Sequence, residues 1–419
     1  MAQLKDDCFA FGDTLIPYDE AMSDLAARLA TVVDTETVPL PKAAGRVLAE
    51  DVVSDRNVPP HDNSAVDGYA VFFSDLASPG ETRLPVTGRV AAGHPLGRGA
   101  KAGEAVQIFT GAPMPDGMDT VFMEEDCVRD GDAVILPEGL KQGSNRRFAG
   151  EDVKTGDVIV HAGTRLRPQD VGLAASVGRD TLKVFKPLRV AVFSTGDEVR
   201  DPSDDAPPGC IYDANRFAVM AMLERLGIEI TDLGILPDDE AAIAAALDAA
   251  ADGHHLLMTS GGVSAGEEDH VKAAVEKLGS IHFWRLAIKP GRPIALGQAG
   301  EAAFIGLPGN PVAAMVTFLM IAQPMLRQMA GETGYQAARL KVATDFPYKK
   351  KSGRREWVRV ALGSDGNGTP VLSKHHSSGA GILTSMAAAD GLAEIAEDVE
   401  KLEAGAMVTY IPFSGLLSG

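Results

Sequence analysis

The chain has 419 residues, 45% of them hydrophobic and 23% charged; at roughly 100–200 residues per domain this predicts two to four domains whose apolar cores need no disulfide or metal staples. A net charge of −19 repels nucleic-acid phosphates, so nucleic acid is not an expected partner, and any anionic ligand needs a bridging cation or Lys and Arg gathered at one site. Cys8, Cys127 and Cys210 stand alone, without CxxC or Cys/His spacing, and read as reduced cytosolic thiols.

The first residues, MAQLKDD, are acidic where an export signal is basic and then apolar, so a cytoplasmic location is expected. Asp19–Ala30 reads as a helix. From Val52 to Val160, short Val/Ile runs alternate with Gly and Pro turns: LPVTGRV, EAVQIFTG, DTVFMEED, DAVILPEG and DVIVHAG. That pattern predicts a β-rich region. Pro168–Ser176 reads as a further helix.

From Leu188 the pattern changes. Leu188–Ser194 is a buried strand and Asn215–Gly227 a helix closed by its glycine. Ile228–Leu236 is a strand, Asp239–Ala251 a helix, His255–Thr259 a strand and Glu268–Leu278 a helix. Ile281–Ile288 and Ala302–Leu307 follow as strands, and Pro311 opens a long helix. Its apolar stretch, Val312–Ala322, is shorter than the roughly 20 residues of a membrane span, so a buried helix and no membrane contact are expected. The alternation predicts right-handed βαβ units and a parallel sheet covered on both faces. The last part, with REWVRVAL, PVLS, GLAEIAED and MVTYIPF, reads as a small β domain. The expected division is a discontinuous helical-β region over 1–55 and 154–186, a β-rich domain over 56–153, an α/β domain with a mostly parallel sheet over 187–331, and a C-terminal β domain over 332–419.

Ligands of open α/β sheets bind at the carboxyl ends of the strands. Those ends carry Glu198, Asp238, Ser260-Gly261-Gly262 with Ser264 and Asp269, Lys289, and Pro308-Gly309-Asn310-Pro311. Glycines let a backbone approach a ligand, and free N–H groups at a helix start suit phosphate. Glu198, Asp238 and Asp269 are oxygen donors of the kind Mg²⁺ takes, and Lys289 can neutralise an oxyanion. Plainer readings stand beside these: a helix cap for Asp238-Asp239, an ordinary turn for Ser-Gly-Gly, and solvated acids for Glu198 and Asp269. Convergence on one sheet edge favours a site, though the spacing names no substrate. In the β-rich region three polar loops stand out. One holds Asp62, Ser64 and Asp67, the next Thr110, and the last Arg147 and Asp152.

The stretches PPHDNSAVDGYA, FTGAPMP, NRRFAGED, FSTGDE, IYDANR, LGILPDD, TSGGVSAGEEDH, AIKPGRP and GLPGNP run in order from about residue 58 to 311. In them the chain resembles the MoeA family of molybdopterin molybdenumtransferases, which includes the gephyrin E domain. FSTGDE, SGGVSxG and GLPGNP recur in related molybdopterin adenylyltransferases, whereas DNSAxDGYA and TGAPxP lie in a domain that those enzymes lack.

The resemblance implies a MogA-like central domain and a reaction in which molybdate is inserted into adenylylated molybdopterin with Mg²⁺, releasing AMP. It implies that Asp67 is an essential acid with Thr110 beside it. Asp152, Glu198, Asp238 and Asp269 are then further acidic site residues, Lys289 contacts the anion, and Arg147 lines the cleft. Pro308 and Pro311 shape the Gly309-Asn310 loop, and Arg359 and Ser378 correspond to C-terminal site residues. Arg285 stands where related bacterial sequences often carry Lys, which exchanges a point charge for a planar fork. A homodimer with a shared cleft is implied, as are an adenylyltransferase that supplies the substrate and proteins that deliver the cofactor to molybdoenzymes. Two other readings stay open: an adenylyltransferase, and a non-catalytic cofactor-binding scaffold.

Overall fold

The structure, a computed structural model, describes residues 15–262, 270–377 and 379–416. Asp269, Ser264 and Ser378 lie outside these residues. The chain divides into two compact units, a coarser partition than the four segments expected. One comprises residues 1–49, 162–166 and 183–419, and the other residues 50–161 and 167–182.

The larger unit begins with α1 (Tyr18–Arg28). The smaller unit is built on a six-stranded sheet. Its elements are β1 (Asn63–Ser64), β2 (Gly68–Val71), β3 (Thr82–Val90), β4 (Ala105–Ile108), β5 (Thr120–Met123), β6 (Val128–Asp130), β7 (Ala133–Leu136), β8 (Arg146–Arg147) and α2 (Pro168–Ser176). The sheet order is β5-β2-β4-β3-β7-β6. Strand β2 is buried along its whole length between β4 and β5. Gly68 opens it because nothing larger fits: a Cβ there would stand 1.7 Å from the Phe122 carbonyl oxygen.

The α/β domain of the larger unit contains β9 (Arg189–Thr195), α3 (Ala214–Arg225), β10 (Glu229–Leu236), α4 (Glu240–Ala251), β11 (Leu256–Ser260), α5 (His270–Leu278), β12 (Gly279–Arg285), β13 (Ile288–Lys289), β14 (Pro293–Ala299), β15 (Ala302–Leu307) and α6 (Pro311–Met329). Sheet order is β10-β9-β11-β15-β14-β12. Both faces are covered, as the apolar runs predict: Val190 and Val192 pack into one core, Ala191 and Phe193 into the other. Asp213 caps α3 through the Arg216 N–H (3.1 Å), and Asp239, not Asp238, caps α4 through the Ala242 N–H (2.8 Å).

The sheet is mostly parallel, as expected, through β10, β9, β11 and β15, and turns antiparallel at its β14–β12 edge. Strand β14 runs antiparallel to both β12 and β15. Ala299 pairs with Ala302, leaving a two-residue link that can close a hairpin but cannot carry a crossover. The expected strand over Ile281–Ile288 also divides. Its first part is β12, and Ile288–Lys289 leaves the sheet to pair with Arg355–Glu356.

Helix α6 is almost wholly buried, with 83% of its apolar stretch inside the protein. Residues Phe318–Ala322 form a π segment. Pro324 has no N–H to offer the Met320 carbonyl, and the Tyr18 hydroxyl donates to that oxygen instead (2.9 Å).

The C-terminal strands are β16 (Leu340–Thr344), β17 (Arg355–Ser364), β18 (Pro370–Lys374), β19 (Gly391–Ile395) and β20 (Met407–Pro412). They close on themselves in the order β17-β18-β16-β20-β19-β17, with β13 joining β17. A closed barrel leaves no free edge. Its core holds Val342, Val358, Val360, Leu372, Ala393 and Tyr410.

Candidate functional site

Within the larger unit, the carboxyl ends of β9, β11 and β15 and the loop after β13 face a cleft of about 770 Å³, whose other wall is the barrel. Glu198, Gly261, Gly262, Lys289, Pro308, Gly309, Asn310 and Arg359 line it. A smaller cavity of about 180 Å³ shares Glu198, Gly261, Gly262 and Gly309 and adds Ser194, Asn215, Ser260 and Pro311. The loops are tied together by side chains: Asn215 donates to Ser260 Oγ (2.9 Å) and to the Gly309 carbonyl (2.7 Å), and Ser260 to the Pro308 carbonyl (3.1 Å). Ser194 Oγ is buried in the wall of the smaller cavity with no partner among the described residues, a hydroxyl left for a ligand.

The cleft is strongly cationic. Lys289, Arg292, Lys349, Arg354, Arg359 and Lys374 line it, with His375 and His376, against the carboxylates Glu198 and Glu356. Gly291 lets the loop carrying Lys289 and Arg292 lie on α6, since a Cβ there would meet Thr317 Oγ1 at 2.1 Å. Arg359 is only 6% exposed. Its guanidinium donates to Ser385 Oγ (3.0 Å) and to the carbonyls of Gly379 (3.2 Å) and Ser377 (3.4 Å), all neutral acceptors. Burial pulls its pKa below the ordinary arginine value. A buried cation without a paired carboxylate is primed for an anionic ligand. Sequence reasoning missed Lys349, Arg354, Lys374 and the two histidines. Their signal lay in KKKSGRREW and SKHHSS, basic runs in a region read only for its strands.

Among the described residues Asp238 and Arg285 line neither cavity; both are exposed, Asp238 at the start of α4 and Arg285 at the end of β12. No three His, Cys, Asp or Glu side chains among the described residues form a metal-holding group.

The smaller unit gathers the remaining residues. Backbone hydrogen bonds join the three polar loops: Ser64 N–H to the Ala112 carbonyl (3.0 Å), Gly111 N–H to the Ser64 carbonyl (2.9 Å) and Ala65 N–H to the Asn145 carbonyl (2.8 Å). Strands β1 and β8 set Ser64 opposite Arg146, and Asn63 opposite Arg147. Asp67 is exposed, and both the backbone N–H and the hydroxyl of Thr110 donate to its Oδ1, each at 2.7 Å. These two bonds, the backbone one first, hold the Asp67 carboxyl below the usual range. Partial burial works to raise the Asp62 pKa, but the Ala149 N–H (2.8 Å) and the Arg146 guanidinium outweigh it and the carboxyl stays low. Ser64 is buried, its hydroxyl donating to the Val66 carbonyl (2.6 Å). Arg147 and Asp152 are exposed.

Three family models match the chain in succession. Residues 16–178 match the MoeA N-terminal region (domain I and II), residues 191–328 a probable molybdopterin binding domain, and residues 341–413 the MoeA C-terminal region (domain IV). The molybdopterin molybdenumtransferase of Haemophilus influenzae is 38% identical over 405 residues, 96% of this chain and 100% of that one. Molybdopterin molybdenumtransferase 2 of Mycobacterium tuberculosis is 35% identical over 382 residues, covering 88% of this chain and 93% of the relative. A crystal structure of the molybdopterin biosynthesis MoeA protein from Pyrococcus horikoshii OT3 superposes with a TM-score of 0.81 at 31% identity, covering 95% of this chain and all of that one.

Proposed function

Since the chain belongs to the MoeA family of molybdopterin molybdenumtransferases, transferases of molybdenum cofactor biosynthesis, we propose that its own substrates are adenylylated molybdopterin and molybdate, with Mg²⁺ assisting and AMP released. The observation that carries this reading is the cationic cleft, built at the strand ends of a chain whose net charge is −19. A pyrophosphate link and an oxyanion both need such a concentration of positive charge, and phosphoanhydride cleavage depends on positioning and neutralisation more than on covalent catalysis.

In this reading Lys289, Arg354 and Arg359 hold the oxyanion, and the Gly261-Gly262 and Pro308–Asn310 turns offer backbone N–H groups. Carboxylate oxygens suit Mg²⁺, and Glu198 lines the cleft. Glu198, with Asp269, would hold the ion, which keeps part of its shell for water and substrate phosphate, so a closed three-carboxylate cage is not required; Asp238, outside both cavities, is left out of this set. Bound Mg²⁺ supplies charge neutralisation at the pyrophosphate. Asp67, kept ionised by Thr110, accepts a proton or a cation during transfer.

The site is proposed to act in a cytoplasmic homodimer, in which the Asp67-bearing loops of one subunit serve the cleft of the other. Substrate comes from an adenylyltransferase, and the product passes to proteins that load molybdoenzymes. The deciding experiment is AMP release from adenylylated molybdopterin with Mg²⁺, with and without micromolar molybdate. Release that depends on molybdate supports the assignment; tight pterin binding without it overturns the assignment. Mixing inactive Asp67→Asn and Lys289→Ala chains tests the shared cleft, because only mixed dimers would regain one intact site.

A further inference from the structure

Glu356 is a carboxylate buried in the floor of a cation-lined cleft, with 1% of its side chain exposed. A charge so placed is costly unless it is fully bonded. Its Oε1 accepts from Arg354 Nε (2.6 Å), and its Oε2 from the Tyr348 hydroxyl (2.7 Å) and from Lys289 Nζ (3.4 Å). The backbone enforces this arrangement, because β13 pairs with β17 in the register that sets Lys289 beside Glu356. One carboxylate thus tethers two cleft cations that come from different elements, one on each oxygen. Lys289 remains 45% exposed, so the tether fixes its position without withdrawing it from the cleft.

Arg354 sits on a loop that is itself anchored from beneath. Lys350 is 8% exposed, and its Nζ donates to the carbonyls of Arg354 (2.8 Å), Glu397 (3.0 Å) and Lys351 (3.4 Å). Burial holds its pKa below the ordinary lysine value. The guanidinium is thereby fixed from its own backbone as well as from Glu356.

We propose that Glu356 is a positioning residue that sets the oxyanion selectivity of the cleft, by holding Lys289 and Arg354 at a fixed separation. The proposal rests on the reading that this cleft takes molybdate. Two cations free to move on flexible stems close around any tetrahedral dianion, and the smaller, more abundant sulfate then competes. Tethered to one buried carboxylate, they cannot close without leaving a desolvated charge unpaired. A large oxyanion meets both cations where they stand, whereas a small one meets them imperfectly. Selectivity arises from the cost imposed on the wrong ligand.

The test measures molybdate and sulfate binding to the full-length protein by calorimetry, for the native chain and for Glu356→Gln, Arg354→Lys and Tyr348→Phe. Gln keeps the shape of Glu356 but not its charge. Glu356→Gln is expected to lower the molybdate-to-sulfate preference about tenfold, mainly because sulfate binds more tightly. Arg354→Lys breaks the tether from the other end while leaving Glu356 in place. It should shift the preference in the same direction, which keeps the proposal testable if Glu356→Gln does not fold. Tyr348→Phe removes a donor but neither cation, and should leave the ratio unchanged. A purely structural Glu356 would lower the fraction of binding-competent protein without moving the ratio. Unchanged preference in both Glu356→Gln and Arg354→Lys overturns the proposal. Failure of the native protein to bind molybdate would instead overturn the functional reading beneath it.

Discussion

The cleft of the larger unit and the joined loops of the smaller one solve opposite electrostatic problems. In the cleft, cations are gathered and held by burial: Arg359 has neutral partners, while Lys289 and Arg354 share one buried carboxylate. In the loops, a carboxylate is kept charged at the surface by the backbone N–H and the hydroxyl of one residue, Thr110, on a neighbouring loop. The contrast shows how an acidic chain handles anionic ligands. Net charge is averaged over the whole surface, whereas a site responds to the few groups within a Debye length, about 8–10 Å. The two regions also differ in what fixes them. Side-chain bonds between remote elements organise the cleft, and main-chain bonds between three loops organise the other cluster.

The largest expected effect separates the two regions by function. Lys289→Ala should reduce molybdate-dependent AMP release by about 10²–10³-fold, with only a modest fall in melting temperature, because buried Glu356 loses one of its donors but keeps Arg354 and Tyr348. Asp67→Asn should cost about 10²-fold, with molybdate binding to the cleft intact by calorimetry. Loss of molybdate binding in Asp67→Asn would erase the contrast.

Next in size is a backbone effect confined to the loops. Gly68→Ala drives a methyl into the Phe122 carbonyl and should destabilise the smaller unit by about 3 kcal/mol. Hydrogen exchange that rises in β2, β4 and β5 but not in β9 or β11 would confirm that the units respond separately. Uniform loss of protection would contradict it.

Acid stability sharpens the comparison. In the smaller unit, Arg98 (2.7 Å) and then Thr87 hold Glu104 down to about 2, against the pull of burial. A depressed carboxylate stabilises the fold above its unfolded pKa. That contribution drains away as pH falls from about 4.5 towards about 2. In the larger unit, burial and then Arg189 lower His255 to about 4. The unfolded chain then binds the proton first, so stability falls as pH drops from 6.5 towards about 4. Denaturant titrations across pH should show Glu104→Gln flattening the lower window and His255→Gln the upper one. Interchanged or absent effects would show that these groups do not govern acid stability.

The smallest effect concerns Thr110→Val. It removes the weaker of the two contributions that depress Asp67, since the backbone N–H remains. The acid limb of the activity profile should move to higher pH. A limb that stays in place would show that Asp67 does not control it.

Much of this was legible in the sequence. The α/β alternation, the closing glycine of α3, the caps and the polar strand-end loops follow from local rules of period, propensity and hydrogen bonding. The hairpin that ends the parallel pairing had a local signal too, in the Gly300-Glu301 link of QAGEAA, but its first strand, Pro293–Ala299, was not among the expected elements. Other features had no local signal. Lys289 and Glu356 are 67 residues apart, and only the pairing of β13 with β17 makes them neighbours. Nothing in KKKSGRREW tells a solvated basic turn from a cleft wall, because that depends on which barrel face the loop occupies and what lies opposite. The sequence by itself determined the elements, the family and the acidic and glycine-rich strand ends, since each is written in a few neighbouring residues. Tertiary structure alone decided which charges meet and which are buried, because electrostatic environment is a property of distances through space and not of order along the chain.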